Sequence, residues 1–173
     1  MGRAFVRQTV ASFFAPPAVA GLYSVYRAEP KNIPGSAFFD GAPAGTMSGA
    51  IAFPHIESQI ERRIAMGGPT SGWKMVPYDV ALVVRFKSNR TESEDAVDDW
   101  DTILENIVDR LRSDRQLGTS AQQSPTIFQA GEGDTFGGED IHVLSDLPKA
   151  MGSGQQVVAW AAIRFKAIEM VEA

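Results

Sequence analysis

Two stretches of the chain alternate apolar and polar side chains with the period of a strand. Tyr78, Val80, Leu82, Val84 and Phe86 fall on one side, with Asp79, Ala81, Val83, Arg85 and Lys87 opposite. Val157, Ala159, Ala161, Ile163 and Phe165 alternate in the same way with Val158, Trp160, Ala162, Arg164 and Lys166. Each pattern predicts a half-buried strand. Both end in similar tetrapeptides, Val84-Arg85-Phe86-Lys87 and Ile163-Arg164-Phe165-Lys166, too short to establish a repeat.

Between them the period changes to that of a helix. Val97, Trp100, Leu104, Ile107, Val108 and Leu111 make one apolar stripe. Thr91 and Glu94 have capping-box spacing, and Arg110 and Arg112 suit the negative end of the helix dipole. Gly118 and the polar run to Pro125 end the element. Ile127-Phe128-Gln129 and Ile141 to Leu144 are short strand candidates on either side of the acidic, glycine-rich loop Gly131 to Asp140.

Near the start, Phe5, Val6, Val10, Phe13 and Phe14 recur at helical spacing until Pro16 and Pro17 stop the pattern. This predicts a short amphipathic helix packed on its own domain. From Pro16 to Ser48 the chain is rich in Pro, Gly and Ala, with Leu22 to Tyr26 as a strand candidate. A loop of such length is usually functional, and we expect an arm lying over a neighbouring subunit. In Ile51 to Met66 the isoleucines 56, 60 and 64 fit a helix face or alternate strand positions equally well. Pro54 and Gly67-Gly68-Pro69 tip the reading towards an edge strand running into a turn.

Helix, loop, strands, helix, strands is not the alternation of a parallel α/β sheet. It predicts one α+β domain over residues 1–173, an antiparallel or mixed sheet with helices on one face. Within it, 1–15 is the N-terminal helix, 16–48 the extended arm and 49–173 the core.

Charge narrows the function. Sixteen bases against twenty-one acids leave a net −5, which argues against a protein built to grip phosphate backbones. Thr91 to Asp109 holds eight acids and no base, whereas Arg3, Arg7, Arg27 and Lys31 make the start basic. Faces of opposite sign on one subunit serve assembly. With no cysteine, disulfides, thiolate metal sites and cysteine nucleophiles are excluded. No apolar run is long enough to span a membrane. Arg3, Arg7 and the stretch ending in Ala18-Val19-Ala20 loosely imitate a signal peptide, but Gln8, Thr9 and Pro16-Pro17 interrupt it.

Catalytic signatures are weak. In Gly67 to Lys74, Trp73 separates the lysine from the last glycine and Pro69 removes a donor, so no phosphate cradle forms. Its serine is misplaced for a nucleophile elbow, and Gly131, Gly133 and Gly137 miss dinucleotide spacing. Glu132, Asp134, Glu139 and Asp140, with His142 beyond, are oxygen-rich enough to hold Ca²⁺ or Mg²⁺, but the spacing matches no EF-hand. A solvated or channel-facing loop is the plainer reading. His55 and His142 lack a nucleophile motif, and Asp98, Asp99, Asp101 and Glu105 read as a hydrated helix face. We expect no enzyme, no resident metal and no cofactor.

Several stretches taken together resemble the tail terminator proteins of long-tailed phages, especially those of actinobacteria. They are Glu61-Arg62-Arg63-Ile64-Ala65 before Gly67-Gly68-Pro69, Lys74 and the strand from Tyr78, and the helix from Asp95 through Trp100 to Leu111-Arg112. Asp114, Leu117-Gly118, Phe128 to Glu132 and a last strand closing in Phe165 and Glu169 complete the set, over roughly residues 50 to 171. The order and spacing carry the resemblance, and the first 48 residues match less well.

The resemblance implies a virion protein, assembled in the host cytoplasm, whose copies close into a ring, commonly of six. Such a ring caps the tail tube, stops its polymerisation and presents a surface to the head connector. Its expected partners are copies of itself, the tail tube protein and the connector or head-completion protein. DNA passes through the bore without specific binding. Glu132, Asp134, Glu139, Asp140, Arg62 and Arg63 are the candidate interface or bore-lining residues. The alternatives are a head-completion or connector protein of the same neck, and a metal-dependent enzyme using the 132–142 loop.

Overall fold

The computed structural model describes residues 2–60, 62–64, 73–90, 93–120, 126–129, 141–151 and 156–172. Three long strands carry the fold: β2 (Ser48–Gln59), β4 (Trp73–Ser88) and β8 (Gln156–Glu172). β4 lies between the other two, antiparallel to both, and pairs with β8 from Trp73↔Glu172 to Ser88↔Val157. The short strand β3 (Arg62–Ile64) continues beside β4 where β2 ends. On the far side of β2 lies β1 (Leu22–Val25), parallel to it. The outer edge of β8 carries β7 (Lys149–Met151), β6 (His142–Ser145) and β5 (Thr126–Gln129), all antiparallel. The result is a mixed, mainly antiparallel sheet with two helices, an α+β fold.

Strand alternation sorts the side chains as the sequence predicts. Tyr78, Val80, Leu82, Val84 and Phe86 of β4 join Ala159, Ala161, Ile163 and Phe165 of β8 in one buried cluster. Two helices cover this face. α1 (Arg3–Phe13) contributes Val6, Val10 and Phe13, and α2 (Ser93–Ser113) contributes Trp100, Ile103, Leu104, Ile107 and Leu111. Burying α2's apolar stripe is worth on the order of 10 kcal/mol before entropy, an upper bound. Of the predicted stripe, Val97 and Val108 are only half-buried. The predicted cap at Thr91 lies outside the described residues.

Specific polar contacts fix the helices. The Arg3 guanidinium donates to the Ile56 carbonyl at 2.6 Å, holding the start of α1 to β2. At the other end the Arg110 guanidinium of α2 stacks 4.2 Å from the Phe13 ring and donates to the Phe13 carbonyl, a group α1 cannot satisfy itself. Beyond α2, the Asp114 carboxylate accepts the Gln116 and Gly118 amides at 2.8 and 3.0 Å, turning the chain so that Leu117 drops into the core.

Residues 16–48, read from their prolines as a loop, fold onto their own sheet. Val19 and Leu22 are buried in the core, and the short 3₁₀ helix Gly35–Phe39 crosses over β1 and β2. The Ser24 hydroxyl donates to the Ala37 carbonyl at 3.0 Å. Gly49 makes this crossing close: a Cβ there would stand 2.0 Å from the Phe38 carbonyl oxygen. Gly21 has φ +83°, and Ile103 of α2 fills the space a side chain would need.

Two local expectations about β2 are corrected. β2 is not an edge strand along its length, because β1 pairs with it at Ala50 to Ala52. Pro54 lies past that pairing, opposite Leu82, where the missing N–H costs no ladder bond to β1. The isoleucines also do not stay on one face. The register shifts between Ile56 and Ser58, so Ile56 is buried while Ile60 is exposed.

The acids of α2 divide. Asp98, Asp101 and Glu105 are exposed as expected. Asp99 is not a free surface acid: it accepts from Arg90 Nε at 2.6 Å and Nη2 at 3.2 Å. Burial pushes its carboxyl upward, but hydrogen bonds from Arg90 and Ser48 and the charge of Arg90 outweigh this and hold it below the ordinary carboxylate range. The Ser88 hydroxyl lies 2.8 Å from that of Ser48 and can donate to it, so the network ties α2 to β2 and β4. A carboxyl depressed in the folded state contributes stability above its unfolded value, about 3.9, and loses it as pH falls through the folded value. Asp99→Asn therefore lowers stability at neutral pH and flattens the loss below about pH 4, read by denaturant unfolding at stepped pH. Equal acid slopes for the two proteins would contradict this.

Candidate subunit interface

The sheet face away from the helices, and its β6–β7 edge, carry the features that the core does not explain. All four residues of β6 and all three of β7 are exposed. Large apolar side chains crowd this edge: Val143, Leu144, Leu147, Met151 and Trp160, with Leu147 78% exposed. Scattered exposed hydrophobics are ordinary, but a group along one sheet edge makes this the candidate surface for a protein contact.

The edge is built, not loose. The Asp146 amide donates to the Trp160 carbonyl at 3.0 Å, joining β6 to β7 along β8. The Asp146 carboxylate accepts from the Trp160 indole N–H at 2.7 Å and lies 3.6 Å from Lys149 Nζ. These contacts fix the indole on the open face, since β8 points Trp160 away from the core. Beside it runs a groove of about 480 Å³, lined by Phe38, Arg85, Leu147, Lys149, Val158 and Trp160 among others. Arg85 is held there by Glu29 at 2.6 Å and lies 5.7 Å from the centre of the Phe53 ring.

Further along the same face the character turns to charge. Arg164 lies 2.9 Å from Glu57, and the Ser58 hydroxyl donates to the Asp79 carboxylate. Lys166 is opposite Asp79 and His142 opposite Arg164 in the strand register. Glu57, Asp79, His142, Arg164 and Lys166 line a cavity of about 310 Å³. His55 shares a row with Ala81, Arg164 and His142, so the two histidines stand three strand spacings apart, about 14 Å. They do not meet. Among the described residues, no three His, Asp or Glu side chains gather as metal ligands.

Of the residues predicted for an interface or bore, Glu132, Asp134, Glu139 and Asp140 lie outside the described residues. Arg62 and Arg63 lie on β3, opposite Met75 and Lys74. Sequence reasoning missed Leu147, Met151 and Trp160. The available signal was in the last strand, whose outward side carries Val158, Trp160 and Ala162 where a solvated face would carry polar residues.

No protein-family model matches the chain, and no curated protein is significantly similar to it.

Proposed function

We propose that the chain is a structural subunit of the neck of a long-tailed phage: a tail terminator whose copies close into a ring, probing no substrate and performing no catalysis. The ring, commonly of six in proteins of this kind, caps the tail tube and offers its other side to the head connector. One observation carries the reading beyond the resemblance of residues 50 to 171. A domain with a buried core still exposes Val143, Leu144, Leu147 and Met151 along a single sheet edge, with Trp160 of β8 beside them. Such an edge is suited to burial against protein. The net charge of −5 suits a conduit that lets DNA pass without trapping it.

The test is electron microscopy of particles assembled without this chain. Overlong tails, or tails detached from filled heads, are the expected result. Tails of normal length beside heads that have lost their DNA would overturn termination and assign the chain to head completion.

A further inference from the structure

We infer that copies of this chain join head to tail by strand addition, β1 of one copy extending the next copy's sheet from the end of β6 into the turn before β7. The inference rests on the ring reading and names the surfaces that would make the ring.

Strand polarity carries it. β1 and β2 run the same way, β4 runs opposite, β8 reverses again, and β6 and β7 run opposite to β8. The two outer columns of the sheet are therefore antiparallel to each other. A second copy placed alongside in the same orientation meets β6–β7 with β1 in the antiparallel sense, which forms the better ladder. Among the described residues β1 pairs only with β2, and β6 and β7 only with β8. Among the described residues, each thus presents one edge that no strand covers.

The register places the joint. One row runs Ser24, Ile51, Arg85, Trp160, with Asp146 bonded to the Trp160 carbonyl. The next runs Val25, Ala52, Val84, Ala161, Ser145. Without sliding between copies, Leu22 to Val25 faces Ser145 to Leu147. Pro148 follows directly and has no N–H to give, so it closes the ladder where β1 begins. His142 to Ser145 contains neither of the usual edge guards, lysine or proline. The joint would lay Tyr23 and Tyr26 near the exposed Leu144 and Leu147. Two-fold pairing of like edges would leave the other edge of every copy bare, whereas head-to-tail addition uses both, and it closes the proposed ring when each copy is turned by a fixed angle from the last.

The absence of cysteine gives a clean test. Val25→Cys, which leaves the bond from Ser24 to Ala37 in place, is combined in turn with Leu144→Cys, Ser145→Cys and Asp146→Cys, and each protein is oxidised and run without reductant. A covalent ladder from dimer up to the ring size is expected from at least one pair, because facing residues in an antiparallel ladder have the spacing a disulfide needs. Dimers from Ser145→Cys alone would show like edges meeting and overturn the proposal. So would the absence of a ladder from all three pairs in protein that light scattering shows to be oligomeric, and so would a monomer at every concentration. Leu147→Lys supplies a second reading: melting temperature unchanged, oligomer shifted to monomer. Oligomer unaffected by Leu147→Lys would also count against the joint. The tail-length test stands apart from these results, so the edge pairing can fail while the ring survives.

Discussion

Trp100→Ala is expected to lower the unfolding free energy by about 3–5 kcal/mol, enough to unfold much of the population of a marginal domain. Trp100 is the largest fully buried side chain among the described residues, 1% exposed, and its ring lies 5.2 Å from that of Phe86. It is where α2 seats on the centre of the sheet, so truncation leaves a cavity that neither helix nor sheet can close. Its indole N–H has no hydrogen-bond partner among the described residues. Trp100→Phe removes that unpaired donor while keeping an aromatic ring, and is expected to cost well under half as much as the alanine change. Denaturant unfolding of the three proteins decides. Equal losses for Ala and Phe would show that the indole, and not the filled volume, holds the helix.

Gly49→Ala is the second large effect, and it arises on the opposite face. The added Cβ would sit 2.0 Å from the Phe38 carbonyl oxygen and 2.8 Å from Tyr23 Cδ2. Both neighbours are held, Phe38 in the 3₁₀ turn and Tyr23 in β1, so no flexible chain end can swing aside. Overpacking of this kind typically costs about 1–3 kcal/mol, and a backbone oxygen as the obstacle places it at the upper end. Relief requires the 3₁₀ segment to lift from β1 and β2, breaking the bond from Ser24 to Ala37. Limited proteolysis should then cut between residues 30 and 45 much faster than in the parent. An unchanged melting temperature with unchanged cleavage would mean the segment does not pack as described. Because the segment lies over β1, the same substitution should also weaken any joint made through that edge.

The core was legible because its signals are periodic and local. Alternation over Tyr78 to Lys87 and over Val157 to Lys166 named the buried face, and the 3.6 period named Trp100, Leu104, Ile107 and Leu111. Where the reading stopped, a non-local contact decided the outcome. Nothing near Leu22 in sequence says that it will pair in parallel with Ala50, and the prolines around it read as loop. The bulge after Ile56 moves Ile60 from core to solvent by one residue of register, a shift that the isoleucine spacing hides. β7 is three residues long and owes its existence to the free edge of β8, so its own sequence carries almost no strand signal. The candidate interface was half visible. Val158, Trp160 and Ala162 stood on the outward side of the last strand, but only the sheet order places Leu144, Leu147 and Met151 beside them. The acidic residues of 132–140, chosen from charge alone, have no structural counterpart among the described residues.

The ring is tested most directly by reconstructing the neck of intact particles and locating this chain within it. The account predicts a closed annulus of copies between the last tube ring and the head connector, each with its β6–β7 edge covered by a neighbour. A chain present as isolated copies, with Leu144, Leu147 and Trp160 facing solvent, would contradict it.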